Sequence, residues 1–97
     1  MNKEVTIEKL EQYFLITKQA LEKAELALDS KRLEQAQDFF NMANNYYNDA
    51  HFFYKTKNDL VLAFAALNYA HGWLDAGARI KLFQVNDSRL FTVDDEI

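Results

Sequence analysis

Apolar side chains recur at alternating steps of three and four residues along three consecutive stretches of the chain. This spacing places the apolar positions on one side of a helix, where they form a continuous seam. The pattern therefore predicts three amphipathic helices, over residues 5–28, 31–55 and 59–83. The seam positions are Ile7, Leu10, Phe14, Thr17, Leu21, Ala24 and Leu28 in the first helix, Leu33, Ala36, Phe40, Ala43, Tyr47, Ala50 and Tyr54 in the second, and Leu60, Ala63, Phe64, Leu67, Ala70, His71, Leu74 and Ala78 in the third.

Short polar breaks separate the three predicted helices. Asp29 and Ser30 precede the second helix, Asn58 and Asp59 precede the third, and all four are residue types that favour helix N-caps. Because both connections are only a few residues long, neighbouring helices are predicted to run antiparallel. The predicted fold class for residues 1–97 is therefore all-α, a single-domain antiparallel up-and-down three-helix bundle.

The helical pattern stops after Phe83, and residues 84–97 form a short C-terminal tail. Asn86–Ser88 is a cluster of turn-forming residues, and Arg89–Val93 is short, apolar and β-prone. The tail is predicted to be extended. Two alternatives stay open for it, either packing back on the bundle or remaining loose.

Composition and charge exclude several classes of protein. The chain has no cysteine, so neither a disulfide framework nor a thiolate metal site is available. Its net charge is −4 and its basic residues are scattered, which disfavours nucleic-acid binding. The longest apolar run, Leu60–Leu67, is far shorter than the roughly 20 residues of a membrane span. The charged start at Met1–Glu4 has no signal-peptide pattern. We expect a cytoplasmic protein that binds neither nucleic acid nor membrane.

Neither metal binding nor catalysis is indicated by the sequence. The two histidines, His51 and His71, lie on different predicted helices and about 10 Å apart along the bundle axis, so they are not expected to share an ion. No Glu-x-x-His pair of the di-iron bundle type, no phosphate-binding glycine loop and no nucleophile elbow occurs. We therefore predict no catalytic residue, no metal and no cofactor.

The third predicted helix carries a second apolar stripe in addition to its seam. At about 100° per residue this stripe lies well over 90° from the seam, so the core of a three-helix bundle does not account for it. The stripe contains the only tryptophan of the chain. Either the tail residues Leu90, Phe91 and Val93 or a second copy of the protein is expected to cover it. The residues of the stripe, which form the candidate interface, are Leu62, Ala66, Tyr69, Trp73 and Ile80.

Both glycines of the chain, Gly72 and Gly77, fall inside the third predicted helix. A glycine there costs about 1 kcal/mol relative to alanine, so the two glycines indicate a packing or functional reason. Gly72 and Ala76 are small and four residues apart, which would let another backbone approach closely.

A polar strip borders the seam of the third helix and forms a candidate binding strip. Asp75 lies four residues after His71 and four before Arg79, and both spacings bring side chains within reach on one helix face. Together with Asn68, these side chains could bind a small polar ligand or anchor a partner. The competing interpretation is a structural chain of ion pairs, which is common on helices.

Two segments carry a resemblance to a known family. They are Tyr46–Phe53, which reads YYNDAHFF, and Tyr69–Phe83, which reads YAHGWLDAGARIKLF. Over most of the second and third helices the chain resembles the archaeal family catalogued as domain of unknown function 357, and Tyr69–Gly77 is the most distinctive part. The resemblance implies a small three-helix bundle in an archaeal cytosol, and it implies no activity. Lys81 departs from the small residue expected there in relatives, and its long cationic side chain would loosen close packing at that end of the helix.

Function is predicted only in outline. The leading hypothesis is a non-enzymatic interaction or structural module that self-associates as a homodimer through the second face of the third helix. A related hypothesis is an adaptor that offers a helix groove to an unknown protein partner. The alternative from a different class is a small-molecule or metabolite binder that uses Asn68, His71, Asp75 and Arg79. An enzyme ranks third, because no pocket and no tuned acid–base group is visible in the sequence.

Overall fold

The computed structural model describes residues 5–92, and the expectations that involve Val93 lie outside the described residues. Within the described range there are three α-helices and no β-strand, which confirms the predicted all-α three-helix bundle. The helical elements in chain order are α1 (Ile7–Glu25), a 3₁₀ turn (Ser30–Arg32), α2 (Leu33–Lys55) and α3 (Leu60–Arg79).

Asp29 and Asp59 each cap the helical element that follows them, although α2 itself begins only at Leu33, where the N-cap residue Arg32 makes no side-chain capping bond. Asp59 is the N-cap of α3, and its Oδ1 accepts a hydrogen bond from the backbone N–H of Leu62 at 3.0 Å. Asp29 caps the 3₁₀ turn, and its Oδ1 accepts from the N–H of Lys31 at 3.1 Å. Each cap satisfies a backbone donor that has no partner inside its own helix, which stabilises the start of that helical element.

α2 and α3 form a closely packed antiparallel hairpin. α2 buries alanines at seven-residue intervals, and α3 buries Ala63, Ala70 and Gly77 at the same interval. The antiparallel register about the short turn places these two rows opposite each other. Because the distance between two helix axes depends on the side chains at their contact, small residues along both rows allow a close approach. The alanines of the α2 row are Ala36, Ala43 and Ala50.

α1 packs across the hairpin and completes the core. Leu10 and Phe14 join a cluster at the end of the bundle near the α2–α3 turn, and Leu21 and Ala24 join a second cluster at the other end. Most predicted seam positions are buried. Ile7 and Leu33 are exceptions and are exposed, because each is the first residue of its helix and projects beyond the packed region.

α3 ends at Arg79, four residues before the predicted end at residue 83. Leu82 N–H donates to the carbonyl of Gly77 at 2.8 Å, and Lys81 N–H donates to the carbonyl of Ala78 at 3.2 Å. These two bonds define a Schellman C-cap, with Lys81 in the left-handed region at φ 64°. Leu82 and Phe83 are buried beyond this cap, so the apolar pattern continues past the end of the helix. For this reason the periodicity predicted a helix that is longer than α3.

Replacing Lys81 with glycine is expected to raise the free energy of unfolding by about 0.5–1 kcal/mol, because an L-residue is strained at positive φ and glycine is not. Denaturation with urea measures the change. Asn58, at φ 50°, provides the matched control, since asparagine tolerates this region and Asn58→Gly should change stability less. An equal or larger gain from Asn58→Gly would contradict this explanation.

Backbone hydrogen bonds join the α1–α2 connection to the chain that follows α3. Asp29 N–H donates to the carbonyl of Leu82 at 2.8 Å, and Gln84 N–H donates to the carbonyl of Ala27 at 2.7 Å. This junction fixes the start of residues 84–92, which we call the C-terminal segment.

The C-terminal segment packs back on the bundle. Leu90 and Phe91 are buried in the core cluster that contains Leu21 and Leu74. The segment has no regular secondary structure over residues 84–87 and then turns, because the carbonyl of Asp87 accepts from the N–H groups of Leu90 and Phe91 at 3.0 and 2.9 Å. Of the two alternatives for the tail, packing on the bundle therefore holds for residues 84–92.

Candidate functional site

α3 presents different sides to its different neighbours. One side packs on α2, a second packs on α1, and a third faces the C-terminal segment. The remaining side faces away from the bundle. The predicted binding strip and the predicted interface stripe are distributed over these sides, so each residue has to be placed separately.

His71 contacts both α1 and the C-terminal segment. Its Nε2 lies 2.7 Å from the carbonyl oxygen of Leu90, and its Nδ1 lies 3.3 Å from the hydroxyl of Thr17. Because a carbonyl only accepts, Nε2 carries the proton and donates, and in the neutral ring Nδ1 accepts from Thr17. Thr17 is fully buried, so this bond satisfies a hydroxyl that water does not reach.

Asp75 holds the last described residue of the C-terminal segment. Its Oδ1 accepts from the backbone N–H of Thr92 at 2.8 Å, and its Oδ2 accepts from the Thr92 hydroxyl at 3.1 Å. Bonds to a carboxylate are stronger than bonds between neutral groups, and this pair engages both carboxylate oxygens. His71 and Asp75 therefore fasten the C-terminal segment along α3.

Asp87 holds the other end of the segment. Its carboxylate contacts Nζ of Lys23 on α1 at 3.0 Å and a guanidinium nitrogen of Arg89 at 2.9 Å. The backbone N–H of Arg89 also donates to it at 3.0 Å. These donors, first the Arg89 side chain and then Lys23, hold the pKa of the Asp87 carboxyl well below its ordinary value of 3.8.

The lowered pKa of Asp87 predicts a loss of stability in acid. A carboxyl whose pKa is lower in the folded state stabilises the fold above its unfolded pKa, and this contribution disappears as the pH falls through the folded pKa. The stability difference between the wild type and Asp87→Asn is therefore expected to be largest at about pH 6 and to shrink below about pH 3.8. Urea denaturation at several pH values measures it, and a difference that stays constant with pH would contradict the assignment.

The structure thus places the residues of the predicted binding strip on different sides of α3. His71 and Asp75 lie on the side of the C-terminal segment, whereas Asn68 is exposed and lines a groove on the outward side of α3. Arg79 is exposed in the last turn of the helix. A ligand that used all four side chains would have to displace the C-terminal segment from His71 and Asp75.

The predicted interface stripe is also divided. Leu62, Tyr69 and Ile80 are exposed by 46%, 64% and 49%. Ala66 is only 5% exposed and belongs to the core, so it offers no surface to a partner. Trp73 is half-buried, because its ring packs edge-on against Phe39 of α2 at 4.9 Å between ring centroids.

The exposed line along α3 passes through smaller residues than the predicted stripe. It follows steps of three and four, as the seam does, and Tyr69 is its single aromatic residue. The spacing of this line is visible in the sequence. Its alanines, however, fit the pattern of a buried seam as well as that of an exposed face, so the spacing alone did not distinguish the two. We call this line the outward face, and it consists of Leu62, Ala65, Tyr69, Gly72 and Ala76, of which Ala65 is half-buried and the other four are exposed.

A shallow groove of about 350 Å³ lies beside the C-terminal half of the outward face, between α3 and Phe39 of α2. It is lined by three aromatic side chains, two small residues and one polar residue, namely Phe39, Tyr69, Trp73, Gly72, Ala76 and Asn68. Tyr69 in turn stacks on Tyr46 of α2, with ring centroids 5.3 Å apart. A Cβ added at Gly72 would meet no atom within 4 Å among the neighbouring residues of the range 5–92, so packing within that range does not require glycine there.

His51 lies apart from this region, between α1 and α2. Its ring contacts Phe14 at 4.4 Å and Tyr47 at 4.8 Å between centroids. Burial, and secondarily the charge of Lys55, lowers the pKa of His51 below 6.5. No group of three or more metal-ligating side chains is found among residues 5–92. Nor is any helix in that range both long enough and apolar enough to span a bilayer.

The fold and this surface define a small three-helix protein that carries an apolar groove on its third helix. The chain belongs to a family described as a protein of unknown function (DUF357), whose family model matches residues 12–83. The match includes most of α1 as well as α2 and α3, and it ends at Phe83, before the C-terminal segment. No curated protein and no solved structure matches the chain.

Proposed function

We propose that the protein is a non-enzymatic interaction module that self-associates through the outward face of α3. The observation that carries this proposal is the exposure of apolar residues in the middle of a well-formed helix, around a groove that the described part of the chain leaves open. Contiguous exposed apolar patches with polar surroundings mark interaction sites, whereas single scattered apolar residues are ordinary surface.

The cost of Gly72 supports the same proposal. Glycine inside an exposed helix lowers stability by about 0.5–1 kcal/mol relative to alanine. Gly77 has a packing explanation in the contact with Phe83, whereas Gly72 has none within the described chain. A second molecule that approaches the α3 backbone closely would explain why this position is glycine.

The expected affinity is moderate. Stable interfaces take roughly 800 Å² from each partner. An α-helix of twenty residues is about 30 Å long and about 10 Å wide, so the outward face alone falls short of that area. Tyr46 and Phe39 lie beside the face and extend it, and the resulting dissociation constant is expected in the micromolar range.

The alternative function, a small-molecule binder that uses the polar strip, has less support. The polar atoms of His71 and Asp75 are engaged by Leu90, Thr17 and Thr92, which leaves fewer groups to bind a ligand. An adaptor for a different protein would bind its partner in the same groove that the homodimer would use. The tests below therefore include this function as one of their outcomes. The proposal also includes that the protein is oligomeric and that it acts in the cytoplasm of an archaeon.

Trp73 gives a direct test because it is the only tryptophan and borders the groove. We expect its fluorescence emission to shift with concentration in the wild type. Ala76→Glu places a charge in the groove and is expected to raise the dissociation constant at least about tenfold, which corresponds to about 1.4 kcal/mol. Gln35→Glu makes the same change of charge at an exposed position on α2 and should leave the transition unchanged.

The proposal requires these two variants to differ. If the emission of the wild type does not depend on concentration, or if Gln35→Glu weakens the transition as much as Ala76→Glu does, the outward face is not the surface of association. Circular dichroism of both variants controls for loss of folding.

A further inference from the structure

The outward face repeats as a coiled-coil seam does. Its five residues follow steps of three, four, three and four, and a further step of three reaches Arg79. Steps of this kind allow the side chains of one helix to insert between those of a second helix. We propose that two copies of the chain pair α3 with α3 in antiparallel orientation, with Tyr69 of each copy placed over Gly72 of the partner subunit. This inference rests on the proposed self-association.

The sequence of the face matches itself when it is reversed. In the antiparallel register that sets Tyr69 against the partner's Gly72, Ala65 faces the partner's Ala76 and Leu62 faces the partner's Arg79. Four of the five positions of the face thus meet another position of the face, and Leu62 meets Arg79, the next residue along the same line. The largest side chain lies over the smallest, which is the arrangement that lets two helices approach closely without a cavity.

A parallel pairing in register lacks this complementarity. It sets Tyr69 against the partner's Tyr69 and Gly72 against the partner's Gly72, so bulky residues meet bulky residues and a gap is left at the glycines. It also brings the partner's Asp59 to Asp59 and the partner's Arg79 to Arg79. Like charges at both ends would oppose this orientation.

The charges at the two ends of α3 favour the antiparallel orientation. The N-terminal end carries Asp59, and the C-terminal end carries Arg79 and Lys81. In the proposed register the partner's Arg79 lies opposite Leu62, three residues and about 4.5 Å along the axis from Asp59. The acidic end of one helix therefore meets the basic end of the other, and the two helix dipoles oppose each other in the favourable sense.

Moving the register by one heptad is unfavourable. A shift that places Leu62 opposite the partner's Gly72 carries the partner's Arg79 past the start of α3, so the basic end of one helix no longer lies beside Asp59 of the other. The opposite shift leaves only the C-terminal half of the face in contact. The proposed register is thus distinguished from its neighbours by both charge and contact length.

Engineered cysteines test the orientation, because the chain has none of its own. Ala65→Cys and Ala76→Cys are small changes on the outward face. In the proposed dimer residue 65 faces residue 76 of the other copy, while two copies of residue 65 are about 16 Å apart along the axis. A disulfide needs Cα atoms within about 7 Å, so only the mixed pair can form one without distortion.

The two variants are mixed at equal concentration in a glutathione redox buffer, and the disulfide-linked dimers are quantified by mass spectrometry. We expect the mixed dimer to exceed either homodimer at least tenfold. A second pair, Leu62→Cys with Arg79→Cys, should behave in the same way. Mixtures of Gln35→Cys, on α2, with Ala65→Cys should give no such preference.

Each of the other possible outcomes shows which part of the proposal is wrong. An excess of the homodimers would overturn the antiparallel orientation in favour of a parallel one, and a statistical mixture would overturn the fixed register. Sedimentation of the reduced variants separates these results from failure of the underlying proposal. If the reduced proteins are monomers up to several hundred micromolar, self-association itself is excluded.

Discussion

Replacing Phe91 with alanine is expected to lower the free energy of unfolding by about 3–5 kcal/mol. The side chain is 2% exposed and packs in the cluster that contains Phe83 and Leu74. Truncation removes its buried apolar surface and leaves a cavity that the rigid helix pair does not close. The loss would be a large share of the stability of a domain of this size, so urea denaturation measures it directly.

Phe52→Ala is the matched control for Phe91→Ala. The same side chain is removed from α2 at a position that is 49% exposed, and the expected change is within about 1 kcal/mol. If Phe91→Ala costs no more than Phe52→Ala, the C-terminal segment does not belong to the cooperatively folded unit, and the roles assigned to His71 and Asp75 fail with it.

Replacing Gly77 with alanine is expected to lower the free energy of unfolding by about 2–3 kcal/mol. A Cβ at this position would lie 2.6 Å from Cδ2 of the Phe83 ring and closer still to Cε2. The ring is fully buried and is held by the Schellman turn, so it has little room to move aside. The overlap outweighs the gain of about 1 kcal/mol that alanine brings to a helix.

Gly72→Ala makes the same substitution five residues earlier and should have the opposite sign. No neighbouring side chain or packed element among the described residues lies within 4 Å of the added carbon, so the helix gains about 0.5–1 kcal/mol. A gain in stability together with weaker association would indicate that Gly72 serves the interface. Destabilisation by both substitutions, or by neither, would contradict the assigned environments of the two glycines.

Local periodicity is sufficient to predict the helices and most of the core. Leu10, Phe14 and Leu74 belong to seams whose spacing is fixed by the helix itself, and they are buried as predicted. The rotation of α3 about its axis was harder to predict. Ala65 and Ala66 are adjacent alanines, and only the position of α2 determines that Ala66 enters the core while Ala65 stays on the outward face.

The roles of the polar residues depend on contacts between distant parts of the chain. His71 bonds to a residue nineteen positions later, and Asp75 to one seventeen positions later. Their four-residue spacing within α3 suggested that they form a strip with Arg79, because helical neighbours are visible in the sequence and tertiary partners are not. The turn at Asp87 that brings these partners back was itself predictable, from the cluster Asn86–Ser88.

These contacts explain why one side of α3 is left as the candidate working surface. α2 covers the row that contains Ala70 and Gly77, α1 covers the side of Leu74, and the C-terminal segment covers the side of His71. The outward face remains open in the described part of the chain and is apolar along the length of the helix. A protein with this surface is expected to bind another helix there, and we propose a second copy as the occupant because the face is complementary to itself in the antiparallel register.

Sedimentation equilibrium of the wild-type protein tests this claim most directly. The chain has a mass of 11.4 kDa. Self-association through the outward face predicts that the weight-average mass rises from this value towards twice this value between low micromolar and several hundred micromolar concentration. A mass that stays at 11.4 kDa throughout that range would contradict the account.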